Sequence, residues 1–210
     1  FFLLFRIISM GAGVVITQYL GAGNRRDANR TALASLGAST WLGLGSALVL
    51  FAATGPLLTA MQATPDVRAL ATPYLHVLAI ALFLDAFNAS MAAVMRSHLH
   101  TRETMLNILS MHALHLLLCF PLMQGMGPLP AMGMVGFALA LTISRGFGLG
   151  VHLWLWRAVL GLYPTWHDAV AVHWNTLRSS IAIGLPGAAE NIAYRVAMLV
   201  SVTVVSGMGT

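Results

Sequence analysis

The sequence predicts an all-α fold, a polytopic membrane helix bundle with about six transmembrane helices, and three observations carry that expectation. Of 210 residues, 58% are hydrophobic and only 8% are charged, with a mean hydropathy of +0.81. A soluble surface normally has roughly a quarter or more of its positions charged, so the solvent for this chain is lipid. The apolar runs reach the about 20 residues that a helix needs to cross a hydrocarbon core of about 30 Å. They are far longer than the about 9 to 11 residues of a membrane β-strand, and they lack its polar alternation.

Hydropathy places the spans at 1–20, 31–54, 73–95, 104–124, 133–156 and 179–206. The links between them carry the topology. All 11 basic residues are Arg, against 6 acids, and the net charge of +5 is a topology signal rather than a nucleic-acid footprint. The first span is followed by Arg25, Arg26 and Arg30, the third by Arg96 and Arg102, and the fifth by a link flanked by Arg157 and Arg178. The opposite links hold only Arg68, balanced by Asp66, and the uncharged QGMGPLPAMG. By the positive-inside rule the Arg-rich side is cytoplasmic and the first span runs inward. An inward first span implies at least one earlier span, and the chain opens on FFLLFRIISM without an initiator Met and stops at GMGT, so a fragment is expected. The opening run lacks the basic start of a signal peptide.

The link 157–178 is the longest and most polar, with Tyr163, Trp166 and Trp174 suited to the headgroup zone. It reads as an interfacial loop or short amphipathic helix, or as a divider between two bundles. The single cysteine, Cys119, excludes an internal disulfide or a CxxC site, and it is expected to be a buried thiol.

Acids inside apolar runs are the candidates for function, because an ionisable group at the centre of a membrane helix is costly and usually faces a bundle interior or an aqueous cavity. Glu190 lies about eleven residues into the last predicted span, about 17 Å deep. There it is either protonated or holds a cation or a basic partner, as an ion-coupled carrier requires. Asn191 and Tyr194 flank it, and Pro186, in GLPG, is expected to kink the helix just before the cluster. A permanent pair with an arginine of a neighbouring helix is the competing reading.

Asp85 is also mid-span, with Asn88 at i+3 on the same face. Arg145, in LTISRGFG, must find an anion or water, so Asp85 either pairs with Arg145 or contacts substrate or ion. His112 and His115 share one side of a helix and could shuttle protons, ligate a metal or hydrogen-bond across helices. No HExxH or third ligand accompanies them, so no metal is expected. Arg6 and Arg195 complete the charges within the spans, and His98 and His100 belong to a cytoplasmic link. The 12 methionines are scattered as packing residues would be. Nothing resembles a P-loop, a GxSxG elbow or a Rossmann fingerprint, so neither ATP-driven work nor an enzyme is expected.

Four segments in order, ITQYLGAGNRRDANR, TPYLHVLAIALF with AAVMRSHLHTRETMLNI, PAMGMVGFALALTISRG and IGLPGAAEN, give the chain its family resemblance. It resembles the multidrug and toxic compound extrusion (MATE) transporters. The resemblance implies a parent of twelve helices in two six-helix bundles. Residues 1–157 would be most of the N-terminal bundle without its first helix, 158–178 the cytoplasmic linker, and 179–210 the first helix of the C-terminal bundle. It further implies a secondary active antiporter in a bacterial plasma (inner) membrane, monomeric when complete. Such an antiporter exports organic cations or amphiphilic compounds in exchange for Na⁺ or H⁺ and needs no other cofactor or nucleic acid. The cation-coupling carboxylate of such proteins often lies on the helix that opens the second bundle, and Glu190 matches it. Asp85, Asn88, Asn191, Tyr194, His112, His115 and Arg145 are the cavity candidates. Two departures stand out: Leu99 replaces a common Gly in the third link, and Asp85 occupies a position more often apolar or Pro. A lipid-linked oligosaccharide flippase of related fold, favoured by Arg6, Arg145 and Arg195, and a His112/His115 membrane metalloenzyme are the rival readings.

Overall fold

A computed structural model describes residues 2–125 and 130–207, and among them the chain forms helices and no strands. The helices are α1 (Phe2–Gly21), α2 (Arg25–Ala60), α3 (Pro65–Ser97), α4 (Thr101–Gln124), α5 (Gly133–Leu155), the five-residue α6 (Trp166–Val170) and α7 (Trp174–Gly207). A π-helical turn, Trp156–Leu160, prolongs α5. Among the described residues each predicted span coincides with one of the six long helices, the fifth ending one residue into the π-helical turn, and α2 to α5 are long and apolar enough to cross a membrane.

The helices overrun the spans, and the reason is physical. Hydropathy reports where lipid is tolerated, whereas a helix continues as long as its backbone hydrogen bonds are made and its ends are capped. Thus α2 begins at Arg25, where Asn24 accepts from the Asp27 amide at 3.2 Å, six residues before the predicted span. Similarly, α7 begins at Trp174 rather than 179, so the end of the predicted linker is helical. The polar linker supplies α6, opened by a capping box in which Thr165 Oγ1 accepts from the Asp168 amide and the Thr165 amide donates to Asp168 at 2.9 Å. The Thr165 hydroxyl, which donates to the Asp168 carboxylate at 2.6 Å, and the Thr165 amide hold that carboxyl below its usual range. The short helix is docked rather than loose. Trp41 Nε1 on α2 donates to Val170 O at 2.9 Å, and a Cβ on Gly37 would lie 2.1 Å from Ala171 O.

The bundle centres on α3, which packs on α1, α2 and α5, while α4 packs on α5 and α7 packs on α1. Ala12, Ile16, Ala32, Met91, Val94, Met95 and the fully buried Trp156 form the main core cluster, and Trp156 Nε1 donates to Met91 O at 3.3 Å. Polar side chains also pair across helices: the buried Ser90 donates to Ser35 at 2.9 Å and the half-buried Ser97 to Gly13 O at 2.9 Å. Cys119, expected to be buried, is half-buried, with its Sγ 3.3 Å from Met123 Sδ.

The α3–α4 link explains one sequence departure. Leu99 has φ +65° and is 87% exposed, so its Cβ is strained while its side chain buries nothing. Removing the left-handed penalty gains about 1–2 kcal/mol, and the greater unfolded freedom of Gly takes back about 0.5–1 kcal/mol. Leu99→Gly in the full-length protein is therefore expected to raise the thermal midpoint in detergent by a few degrees. A lower midpoint would mean that Leu99 packs against something outside this chain.

Candidate functional site

A cavity of about 340 Å³ lined by both charged and apolar side chains opens between α1, α3, α4 and α5. Helix α3 contributes Asp85, Asn88, Ala89, Ala92 and Arg96; α5 contributes Arg145 and His152; α4 contributes Ile108 and Met111; and α1 contributes Phe5 and Ser9. The spacing of these positions on each helix, 85/88/92/96 and 145/152, puts them on one face, so the cavity follows from helical periodicity. A neighbouring cavity of about 470 Å³ shares Ser9 and Arg96 with the first and continues along α1 to Gln18, toward the Arg-rich end. At that end the α1–α2 link, the α3–α4 link and the turn after α5 meet around Arg25, His98, His100 and Val159.

Inside the first cavity Arg145 Nε stands 3.0 Å from Asp85 Oδ1 as an ion pair, each side chain about one-sixth exposed at 16% and 17%. Of the two roles the sequence leaves to Asp85, the pair is formed. The carboxylate nonetheless remains part of the cavity wall. Asn88 is 5% exposed and spends both N–H groups on carbonyls, Leu84 O at 3.1 Å and Arg145 O at 3.0 Å. Its Oδ1 is thereby turned toward His152 Nδ1 at 3.0 Å. Asn107, on α4, donates to Gly148 O at 3.1 Å and brings the same Nδ2 to 3.0 Å from His152 Nδ1. Gly148 makes this meeting possible: a Cβ there would lie 1.8 Å from Met111 Sδ and 3.3 Å from Asn88 Oδ1.

Sequence reasoning did not single out His152 or Asn107, and it read Arg96 as a link charge only. One available signal was the spacing of His152 from Arg145, two turns on the same face. The other candidates are not gathered here. Glu190 and Tyr194 are exposed on α7, and neither lines any of the cavities described above. Asn191 is half-buried and bonds back to Gly187 O at 2.8 Å. His112 is exposed, whereas His115 is half-buried, edge-on to Phe137 with ring centroids 4.9 Å apart. Among the described residues no three His, Cys, Asp or Glu side chains gather as a metal site. Arg195 is exposed on α7, and the Arg6 side chain lies outside what the structure describes.

Residues 1–120 match the MatE family model, which is more than half of the chain. The chain belongs to the MatE family. It is 27% identical over 206 residues to the uncharacterized transporter YisQ of Bacillus subtilis, covering 98% of this chain and 45% of that protein. It is 26% identical over 209 residues to a probable multidrug resistance protein NorM of Thermotoga maritima, covering 91% of this chain and 41% of that one. The fold resembles a crystal structure of MATE in complex with MaD5, with a TM-score of 0.79 and 24% identity over 94% of this chain and 44% of the other. The chain thus spans less than half the length of the curated relatives it matches. Family and apolar helices together make it an integral, multi-pass membrane protein with half of a MatE transporter fold.

Proposed function

We propose that this chain forms most of the N-terminal half of a secondary active efflux antiporter, residues 1–157, joined by the linker 158–178 to the first helix of the second half. The complete protein exports organic cations or amphiphilic compounds across a bacterial plasma membrane by alternating access, in exchange for Na⁺ or H⁺. The observation that carries this reading is a cavity inside an apolar bundle whose wall includes a carboxylate, two guanidinium groups, a carboxamide and an imidazole. Buried polar groups of this density are costly in lipid and are kept where a substrate or ion passes. The linked binding of two ligands to such groups gives exchange without ATP. Entry of the ion neutralises acceptors that the substrate also needs, and the substrate leaves. Glu190 supplies a second coupling carboxylate in this reading, on the part of α7 that the described residues leave uncovered.

A second reading has its own observation. Arg145 and Arg96 line the cavity against the single acid Asp85, an excess of one positive charge among the described lining residues. That excess suits an anionic amphiphile, such as a lipid-linked precursor handled by a flippase.

One experiment separates them. Vesicles containing the full-length protein are loaded with ethidium, and a Na⁺ gradient and a pH gradient are imposed in turn. Ethidium movement driven by either gradient is expected, and Glu190→Gln is expected to weaken it. No response to either gradient, together with protection of a fluorescent anionic lipid from external quencher, would replace the antiporter with the flippase.

A further inference from the structure

The cavity at the Arg-rich end has a volume of about 620 Å³ and lies apart from the Asp85–Arg145 site, walled by the α1–α2 link, the α3–α4 link and the turn after α5. The sequence sets its depth. Arg25 and Asn29 stand just before the second predicted span, Ser97 to His100 lie between the third and the fourth, and Val159 and Leu160 follow the fifth. At 1.5 Å per helical residue all of them fall within about 9 Å of the hydrocarbon boundary, the level of phospholipid headgroups.

The lining is chemically divided. Arg25, His98 and His100 supply its ionisable groups, and no acid is among the described lining residues. Of the acids on the same elements, Asp27 accepts from Asn24 Nδ2 at 2.7 Å, and Glu103 stands 3.6 Å from His100 Nδ1. Among the described residues the side chains of Arg25 and the half-buried Asn29 make no hydrogen bond or ion pair, which leaves their N–H groups for a ligand. The rest of the wall includes Leu20, Leu99, Val159 and Leu160. Leu99 keeps φ +65° there although its side chain buries nothing within this chain. Unpartnered donors beside an exposed apolar side chain, at headgroup depth, suit a ligand with both an anionic group and a hydrocarbon tail.

We propose that this cavity binds one anionic phospholipid of the cytoplasmic leaflet, its phosphate on Arg25 and Asn29 and its acyl chain along Leu99. The inference goes beyond the transport reading and holds whichever substrate the protein moves. Basic pockets between membrane helices on the cytoplasmic side take anionic headgroups. The phosphate accepts from the Arg25 guanidinium, whose planar fork matches two of its oxygens, and from Asn29 Nδ2. His98 donates Nδ1–H to Val94 O at 2.9 Å, so its Nε2 accepts a headgroup hydroxyl while the ring is neutral and donates to the phosphate when the ring is protonated. A lipid held in this way ties together three connections at the end of the bundle from which the linker departs.

The test titrates phosphatidylglycerol into the full-length protein in detergent. It reads the thermal midpoint, each variant against its own lipid-free value, and the lipid retained in native mass spectrometry. One retained phosphatidylglycerol and a midpoint that rises with its concentration are expected. Phosphatidylcholine with the same acyl chains, which has no net charge, is expected to give neither. Arg25→Gln is expected to weaken phosphatidylglycerol binding about fivefold, the factor for one arginine at an anionic surface. Arg26→Gln removes the same charge one residue away, outside the lining, and is expected to leave binding unchanged. Leu99→Gly keeps every charge and is expected to weaken binding about threefold. Equal binding of the two lipids overturns the proposal, since headgroup charge would then play no part. Equal losses in Arg25→Gln and Arg26→Gln overturn it as well, because general surface charge would account for both. Displacement of the lipid by soluble glycerol phosphate at comparable concentration, or unchanged binding in Leu99→Gly, assigns the site to a free phosphate ester and overturns the lipid. Wild-type protein that retains no phosphatidylglycerol overturns it too, as residues outside this chain would then fill the cavity.

Discussion

Replacing Asp85 with alanine is expected to destabilise the full-length protein by about 3 kcal/mol, whereas Asp85→Ala combined with Arg145→Leu should recover most of that loss. The single change leaves a guanidinium without its carboxylate, 3.0 Å away, in a bundle surrounded by lipid. A lone buried charge costs about 3–5 kcal/mol when its partner is removed. The lower end applies because both side chains touch a cavity and keep about one-sixth of their exposure. The double variant removes both charges, so neither desolvation cost remains, and what stays unrecovered is the space vacated by the smaller Ala and Leu side chains. The thermal midpoint in detergent is the measurement. Equal midpoints for the single and the double variant would show that Asp85 does not act through Arg145. Transport should separate the roles further. If the carboxylate contacts substrate as well as Arg145, the double variant regains stability but not ethidium transport.

The membrane class, the six helices and the family were legible in the sequence because each rests on long, redundant patterns. Helix length against bilayer thickness, Arg at alternate links and four ordered segments all point the same way. The Asp85–Arg145 pair was legible for a related reason: an arginine inside an apolar run must find an anion or water, and few anions are within reach. Glu190 shows where that logic stops. Its depth could be estimated, although α7 starts at Trp174 and places it sixteen residues, about 24 Å, along the helix. Which neighbour covers it could not be read, because that depends on how α7 pairs with α1. Gly184 meets Ile7 and Gly11 meets Ser180 in an antiparallel pairing, so Glu190 falls level with the first residues of α1. From Ile192 to Thr203 every residue is exposed among the described residues. His152 and Asn107 escaped for another reason. Each is a single polar residue in an apolar helix, and the value of each lies in the other's position, 45 residues away in sequence.

Gly184→Ala is expected to cost about 3 kcal/mol, although it adds only one methyl group. The new Cβ would lie 1.9 Å from Ile7 O, and the equivalent atom on Gly11 would lie 1.7 Å from Ser180 O. Both obstacles are backbone carbonyls, so no rotamer change relieves them and the two helices must move apart. Helices in lipid gain little from apolar burial against each other; their association rests on close packing, which small residues permit. A gap of 0.5–1 Å already forfeits about a quarter to a half of each dispersion contact, so separation weakens the α1–α7 interface along its length. Gly45→Ala and Gly150→Ala provide the comparison, since nothing lies within 4 Å of a Cβ at either position. They should be neutral or stabilising by up to about 1 kcal/mol, the helix preference of Ala over Gly. Gly11→Ala and Gly184→Ala together should cost less than the sum of the two, because one separation relieves both clashes. A Gly184→Ala midpoint equal to that of Gly45→Ala would refute the close packing. Because α7 opens the proposed second half of the transporter, this contact is also where one half grips the other. Loosening it should slow ethidium transport more than the fall in folded protein accounts for, and transport per folded molecule measures that excess directly.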